Sequence, residues 1–210
     1  MEIKLIESIT VAPNTIFLKF NRPLSYDFEP GQYTYLTVTK RTYPDYDHHS
    51  RIMSFASAPS DPTLDFLVRI RDSGYKKELN ELKPGDGIDI GEPLGNFKLS
   101  LLQPNVIIAG GVGIAPVLSH LKSTPLDQPL TLIWSNQTEQ STPLLNEVTK
   151  ALTNWNYTAF YILTRQKECK PLFESGRITL DWLKTLELIN STFSYLVSGP
   201  PVMAIPITDT

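Results

Sequence analysis

The stretch Ile107-Ile108-Ala109-Gly110-Gly111-Val112-Gly113-Ile114-Ala115-Pro116 decides the fold. From Val106 to Ala109 the chain is an unbroken apolar run, as expected of a strand buried on both faces. Three glycines follow within four positions, and Pro116 then stands near the first turn of a helix. A buried strand that enters a helix through a tight turn is the building unit of a parallel α/β sheet. Glycines let a ligand approach the main chain closely, and the free N–H groups at a helix start favour phosphate. The run differs from G-x-G-x-x-G, because Pro116 stands where the last glycine would fall. A plain strand–helix turn is the other reading of these residues taken alone.

Towards the C-terminus the same rhythm repeats. Helix 116–122 leads to a strand at Leu130–Trp134 and a helix over 144–152, with Leu144, Leu145, Val148, Ala151 and Leu152 on one stripe. Strand Tyr157–Leu163, a short helix over 180–186 and strand 193–197 complete the series, which predicts a doubly wound parallel sheet. The last strand runs into Ser198-Gly199-Pro200-Pro201. Ligands bind at the carboxyl ends of such strands, near the point where strand order reverses. Ser198 and the Gly110–Gly113 turn are therefore expected to border one crevice.

Towards the N-terminus the pattern differs. Thr15–Phe20, Gln32–Val38 and Thr63–Ile70 are short, alternating and rich in β-branched or aromatic residues. Ala12-Pro13-Asn14, Glu29-Pro30-Gly31, Ser60-Asp61-Pro62 and Lys83-Pro84-Gly85-Asp86 supply the turns. A short helix over 75–82 interrupts them. This half predicts an antiparallel Greek-key β-barrel. Two domains follow, 1–101 and 102–210, with the joint near residues 100–105.

The 210 residues suffice for two cores, and 41% hydrophobic with 20% charged residues is ordinary for a soluble globular chain. A net charge of −3 argues against nucleic acid held by bulk charge. No apolar window reaches the roughly 20 residues of a membrane span, and the first residues lack a signal-peptide layout. One cysteine, Cys169, excludes an internal disulfide and an all-cysteine metal or iron–sulfur cluster. A cytoplasmic setting is expected.

Arg51-Ile52-Met53-Ser54-Phe55-Ala56-Ser57-Ala58-Pro59 places a cation and hydroxyls in an apolar strand. Period two puts Arg51, Met53, Phe55 and Ser57 on one face, and Ile52, Ser54, Ala56 and Ala58 on the other. The small residues of the second face would admit a flat ligand. Downstream, Arg71-Asp72-Ser73-Gly74-Tyr75-Lys76 opens the short helix with a Ser–Gly start, a second candidate anion site. Arg69 is a further candidate cation on the strand before it. Each is, alone, also readable as a solvated face.

In order and spacing, Pro30-Gly31-Gln32-Tyr33, Arg51-x-Met53-Ser54, Pro84-Gly85-Asp86 and Pro93-Leu94-Gly95-Asn96-Phe97 resemble the flavin half of the ferredoxin–NADP reductase family. Gly110 to Pro116 and Ser198-Gly199-Pro200-Pro201 resemble its nicotinamide-nucleotide half. The resemblance spans residues 3 to about 203. It implies FAD as cofactor and NADH or NADPH as co-substrate. Arg51 would pair with the flavin pyrophosphate, with Arg69, Ser73, Gly74, Tyr75 and Lys76 around it. Met53 stands where the family carries a ring stacked on the flavin. Ser54 would lie beside flavin N5. Gly110, Gly111, Gly113, Ile114 and Pro116 would receive the nucleotide pyrophosphate, and Ser198, Gly199 and Pro200 would border the nicotinamide. Ser54 and Ser198 are thus the residues placed at the reacting atoms. Members usually continue with one more helix and strand where this chain stops at Thr210, so a minimal or truncated form is expected.

The implied activity is an FAD-dependent NAD(P)H oxidoreductase that passes electrons to a ferredoxin-like redox protein or a small acceptor. A weakly flavin-binding or non-catalytic scaffold of the same fold, and a free flavin reductase, are the alternatives. His48-His49 lacks accompanying ligands, and no metal site is expected. His120 belongs to a helix face, Cys169 to a solvated loop, and Arg165, past a strand end, is readable either as a partner for a 2′-phosphate or as an ordinary loop arginine, so NADH and NADPH stay undistinguished. No G-x-S-x-G elbow supports Ser/His/Asp catalysis.

Overall fold

The computed structural model describes residues 1–39, 42–43, 49–123, 125–203. Six strands form an antiparallel sheet: β1 (Glu2–Ala12), β2 (Thr15–Asn21), β3 (Tyr33–Thr37), β4 (Ser50–Ser54), β5 (Thr63–Arg69) and β6 (Gly87–Ile90). Their order is β4-β3-β6-β1-β2-β5, and a bridge between Phe55 and Phe66 joins the two edges. The sheet is thus a closed barrel. β2 lies beside β5, reached by the long connection to β3, which is the Greek-key arrangement. Inside, Leu18, Phe20, Leu36, Phe55, Leu64, Phe66 and Ile88 are fully buried. The stacked rings of Phe28 and Phe55, with centroids 4.2 Å apart, fill the wide end. Helix α1 (Gly74–Glu81) closes the barrel by burying Tyr75 and Leu79.

Tyr75 donates its hydroxyl to the Leu36 carbonyl at 3.0 Å, and burial pushes its phenol pKa well above the usual value. Tyr75→Phe is expected to lower stability by about 1 kcal/mol in urea unfolding, the usual size of one buried hydrogen bond.

The second half is a parallel sheet of order β10-β9-β8-β7-β11. It contains β7 (Asn105–Gly110), β8 (Leu130–Asn136), β9 (Tyr157–Leu163), β10 (Phe173–Ser175) and β11 (Ser194–Ser198). Helices α2 (Ile114–Leu121), α3 (Leu145–Leu152) and α4 (Leu180–Thr185) cover it. All six residues of β7 are buried, as its apolar run requires. Strand order reverses between β7 and β11, so the switch point lies where the glycine turn and Ser198 emerge. A single apolar cluster runs from Phe17, Ala56 and Leu67 of the barrel into α2, β8 and α3, so the halves share a packed boundary. No helix among the described residues is long and apolar enough to cross a membrane.

Three sequence expectations shift. The strand beginning at Arg51 stops at Ser54, because Ser57 turns to accept the Asp65 N–H at 3.1 Å. Ala56, Ser57 and Ala58 are fully buried as a result, so they offer no surface to a flat ligand. α2 begins at Ile114 rather than residue 116, after a 3₁₀ turn over Gly111–Gly113. Leu144, expected inside α3, is instead its left-handed entry residue with φ 56°.

Candidate active site

Between the barrel wall and the carboxyl ends of the parallel strands lies a crevice of about 1720 Å³. That exceeds the roughly 300–1,000 Å³ of a site for one drug-sized molecule. β4 supplies Arg51, Met53 and Ser54 to one wall. The turn after β7 supplies Gly110, Gly111 and Gly113, α2 supplies Pro116, and the exit from β11 supplies Ser198, Gly199 and Pro200. The switch point thus meets the strand with the unexpected arginine.

Charge in the crevice is one-sided. Arg51, Arg69, Arg71 and Lys76 line the barrel side, and Arg165 and Arg177 line the sheet side. No carboxylate lines it among the described residues, although the whole chain carries a net −3. Burial, with Arg51 and Arg71 nearby, pulls the Lys76 ammonium down to a pKa of about 8. Arg51 lies 5.3 Å and Lys76 5.5 Å from the centre of the Tyr75 ring, so that ring faces both cations. Like charges gathered around one crevice repel each other, a cost that a polyanion relieves.

The three glycines differ in role. Gly111 has φ 53°, and a Cβ there would meet nothing within 4 Å, so its backbone faces open space. The buried Trp134 indole donates to its carbonyl at 3.1 Å and fixes the turn. Gly113 instead touches protein: an added Cβ would sit 2.6 Å from the Ser198 carbonyl carbon and 2.9 Å from Gly199 Cα. Gly110 packs likewise against Met203 and Pro200. Only Gly111 leaves room for a ligand against the main chain. All three glycines line the crevice, but only at Gly111 does the position of an added Cβ face open space.

Other expected residues lie elsewhere. Ser73 caps α1 by accepting the Lys76 N–H at 3.3 Å, while Gly74 and Tyr75 are buried in the barrel's closure. None of these three lines the crevice, and Ile114, the first residue of α2, is fully buried. Lys76 is the residue of that helix start which reaches it. The Arg69 guanidinium lines the crevice but also donates to the Pro13 carbonyl at 2.7 Å and Thr15 Oγ1 at 3.0 Å. Met53, 9% exposed, belongs to the barrel core and still presents an edge to the crevice.

Arg71, Arg177 and Trp134 escaped sequence reading. Arg71 was visible two residues before the Ser–Gly start. Arg177 follows a strand of only three residues, too short to announce itself, and Trp134 reads as ordinary strand filler. His48 lies outside the described residues, whereas His49 pairs its carbonyl with the Val38 N–H at 2.9 Å. No group of three or more His, Cys, Asp or Glu placed to hold a metal occurs among the described residues. Cys169 is half-buried, its thiol 3.2 Å from the Phe173 carbonyl.

Residues 107–208 match the family of oxidoreductase NAD-binding domains. The chain is 25% identical over 214 residues to the propane 2-monooxygenase reductase component of Mycolicibacterium smegmatis, covering 96% of this chain and 60% of that protein. It is 30% identical over 196 residues to the corresponding Rhodococcus jostii component, covering 86% of this chain and 50% of that one. The chain thus spans only about half to three-fifths of these relatives. Among solved structures, a ferredoxin–NADP⁺ reductase from Neisseria gonorrhoeae with bound FAD and NADP superposes with a TM-score of 0.83. That match, at 22% identity, covers 100% of this chain and 89% of the other.

Proposed function

We propose, from the match of residues 107–208 to oxidoreductase NAD-binding domains and from a fold like that of a ferredoxin–NADP⁺ reductase, that this chain is an FAD-dependent NAD(P)H oxidoreductase. The observation that carries this reading is the crevice in which, among the described residues, six cations and no carboxylate face an open glycine turn. Two nucleotides with pyrophosphates fit that charge and size. We divide the chain between residues 101 and 102, barrel to the flavin and sheet to the nicotinamide nucleotide.

FAD, when bound, supplies the two-electron acceptor for the nicotinamide hydride and can release electrons one at a time. The chain's own residues bind, orient and exclude water. Arg51, Arg71 and Lys76 neutralise the flavin pyrophosphate, and Met53 offers a polarisable edge to the ring. Ser54 places a hydroxyl at the reacting edge. Gly111 gives the second pyrophosphate an unobstructed approach to backbone N–H groups, with Trp134 holding the peptide in place. Ser198 and Gly199 border the nicotinamide. No side chain need act as a strong acid or base. The acceptor is a separate redox protein or a small molecule, in line with relatives that serve as reductase components.

The Lys76 shift sets a pH dependence. In the free protein its charge is half lost at about pH 8, and a bound pyrophosphate would restore its ordinary value of 10.5. FAD affinity is therefore full at about pH 7, begins to fall through pH 8, and is down by about tenfold at pH 9. Lys76→Ala should flatten this profile in a fluorescence titration. Without ligand the sign reverses, because the unfolded chain binds the extra proton, so stability rises between about pH 8 and 10.5.

On the sheet side, Arg165 and Arg177 flank the carboxyl ends of β9 and β10. The Arg165 amide donates to Gln137 at 2.9 Å, tying together the loops after β8 and β9. These arginines favour a nucleotide with a 2′-phosphate. Arg165→Ala is expected to weaken NADPH binding about tenfold and leave NADH unchanged, since a hydrogen bond to a charged group contributes about 1.5–3 kcal/mol. Equal loss for both nucleotides would contradict this.

FAD titration of the purified protein tests the reading directly. Saturable quenching of FAD fluorescence supports it. A protein that binds no FAD at tens of micromolar is the scaffold of the alternative reading, and one that turns over flavin while losing it on dialysis is a free flavin reductase.

A further inference from the structure

α2 begins at the crevice and ends at the barrel. Its first turn carries Ala115 and Pro116 into the crevice wall. Its last turn and the Lys122 that caps it place three side chains in polar contact with the other half of the chain. Ser119, fully buried, donates its hydroxyl to the Ser57 carbonyl at 2.7 Å. His120, 8% exposed, places Nε2 2.7 Å from the Phe97 carbonyl, and burial keeps its pKa below the usual histidine value. That ring is therefore neutral near pH 7 and donates from Nε2. Lys122 lies 3.4 Å from Asp61 and 3.7 Å from the buried Asp65.

The receiving groups are not scattered. Ser57 lies three residues beyond Ser54, at the end of the crevice strand, and its hydroxyl accepts the Asp65 N–H at 3.1 Å. Asp65 also returns its carbonyl to the Ala56 N–H at 2.8 Å, and its carboxylate accepts the Thr63 hydroxyl at 2.7 Å. Phe97 leads into the connection between barrel and sheet. A Cβ on Gly31 would meet both Phe97 O and His120 Nε2, so the contact leaves no slack on that side. One rigid eight-residue helix therefore links the glycine turn to the barrel strand that bears Arg51 and Ser54.

We propose that the last turn of α2 is a clamp that sets the width of the crevice, with Ser119, His120 and Lys122 as positioning residues. None of them lines the crevice. They act by holding Ser57, Phe97, Asp61 and Asp65 still, and so fix Ser54 relative to Gly111 and Ser198. Reaction across the crevice is sensitive to this spacing, because misplacement of about 1 Å can cost a hundredfold in rate. That consequence rests on the proposed oxidoreductase reading, whereas the clamp itself does not.

The test uses Ser119→Ala, Lys122→Gln and Lys122→Arg in the full chain. Hydrogen–deuterium exchange of the cofactor-free protein comes first. Ser119→Ala and Lys122→Gln should speed exchange in residues 55–62 and 97–104 at least about fivefold, with β8 and β9 unchanged and Lys122→Arg close to the parent. Acceleration spread evenly over the molecule, or none in these segments, overturns the clamp. With FAD bound, the same two variants should slow flavin reduction at saturating NADPH about five- to twentyfold. FAD and NADPH dissociation constants should stay within about twofold, and Lys122→Arg should restore the rate. Unchanged rates, or slowing matched by equal loss of binding, overturn the positioning role. If the parent protein is not reduced by NADH or NADPH, the oxidoreductase reading fails, and the exchange data alone decide the clamp.

Discussion

Gly111→Val is expected to slow reduction of bound flavin by NAD(P)H at least about a hundredfold, with the flavin spectrum unchanged. Nothing in the protein lies within 4 Å of the position a Cβ would take, so the side chain projects into the space assigned to the nucleotide pyrophosphate. Its left-handed backbone, φ 53°, adds roughly 1–2 kcal/mol of strain for any L residue. That strain is borne locally, since the Trp134 hydrogen bond to the Gly111 carbonyl and the packed strands beside it remain. The structure shows why Gly113 is the poorer probe: its side chain would drive into the Ser198–Gly199 backbone and part β11 from the turn. Loss of activity there would report disrupted packing. If Gly111→Val is reduced at the parent rate, the glycine turn binds no nucleotide.

Arg51→Ala is expected to raise the FAD dissociation constant about ten- to a hundredfold, from the 1.5–3 kcal/mol of a hydrogen bond to a charged group. Arg51 is singled out because it lines the crevice from β4, stacks its guanidinium over the buried Tyr75 ring, and lowers the Lys76 pKa. Two opposing changes follow from its removal. The pyrophosphate loses a bidentate partner, and Lys76 loses a repulsive neighbour, so its pKa climbs. The variant should therefore bind FAD weakly at pH 7 and show a smaller decline above pH 8 than the parent. Unchanged affinity at pH 7 would refute the role. Thermal stability should scarcely fall, because the arginine sits at the edge of the barrel rather than in its core.

The fold was largely legible because its signals are local. The apolar run Val106–Ala109 and its glycine turn announce a buried parallel strand, and β9 falls on Tyr157–Leu163 as expected. Turn residues such as Pro30-Gly31 and Pro84-Gly85 divide the barrel strands where expected. What stayed hidden depends on contacts far apart in the chain. Ser57 leaves the alternation of its strand because Asp65, eight residues on, captures its hydroxyl. Strand β10 has three residues and is held by its pairing with β9, not by propensity.

The candidate site divides along the same line. Arg51, Met53, Ser54, Gly111 and Ser198 were visible as residues out of place in their elements, and the structure gathers them around one crevice. Tyr75 and Ile114 belonged to the right segments but turn their side chains into cores. Arg177 could be recognised only once the folded chain had brought six cations to one surface. Charge convergence of that kind is a tertiary property.

The most direct measurement is an anaerobic titration of the FAD-reconstituted protein with NADPH and, separately, NADH, followed by visible absorbance. The account predicts that the oxidised flavin band bleaches stoichiometrically, at lower concentration with NADPH. A protein that holds FAD but keeps its oxidised band with an excess of either nucleotide would contradict it.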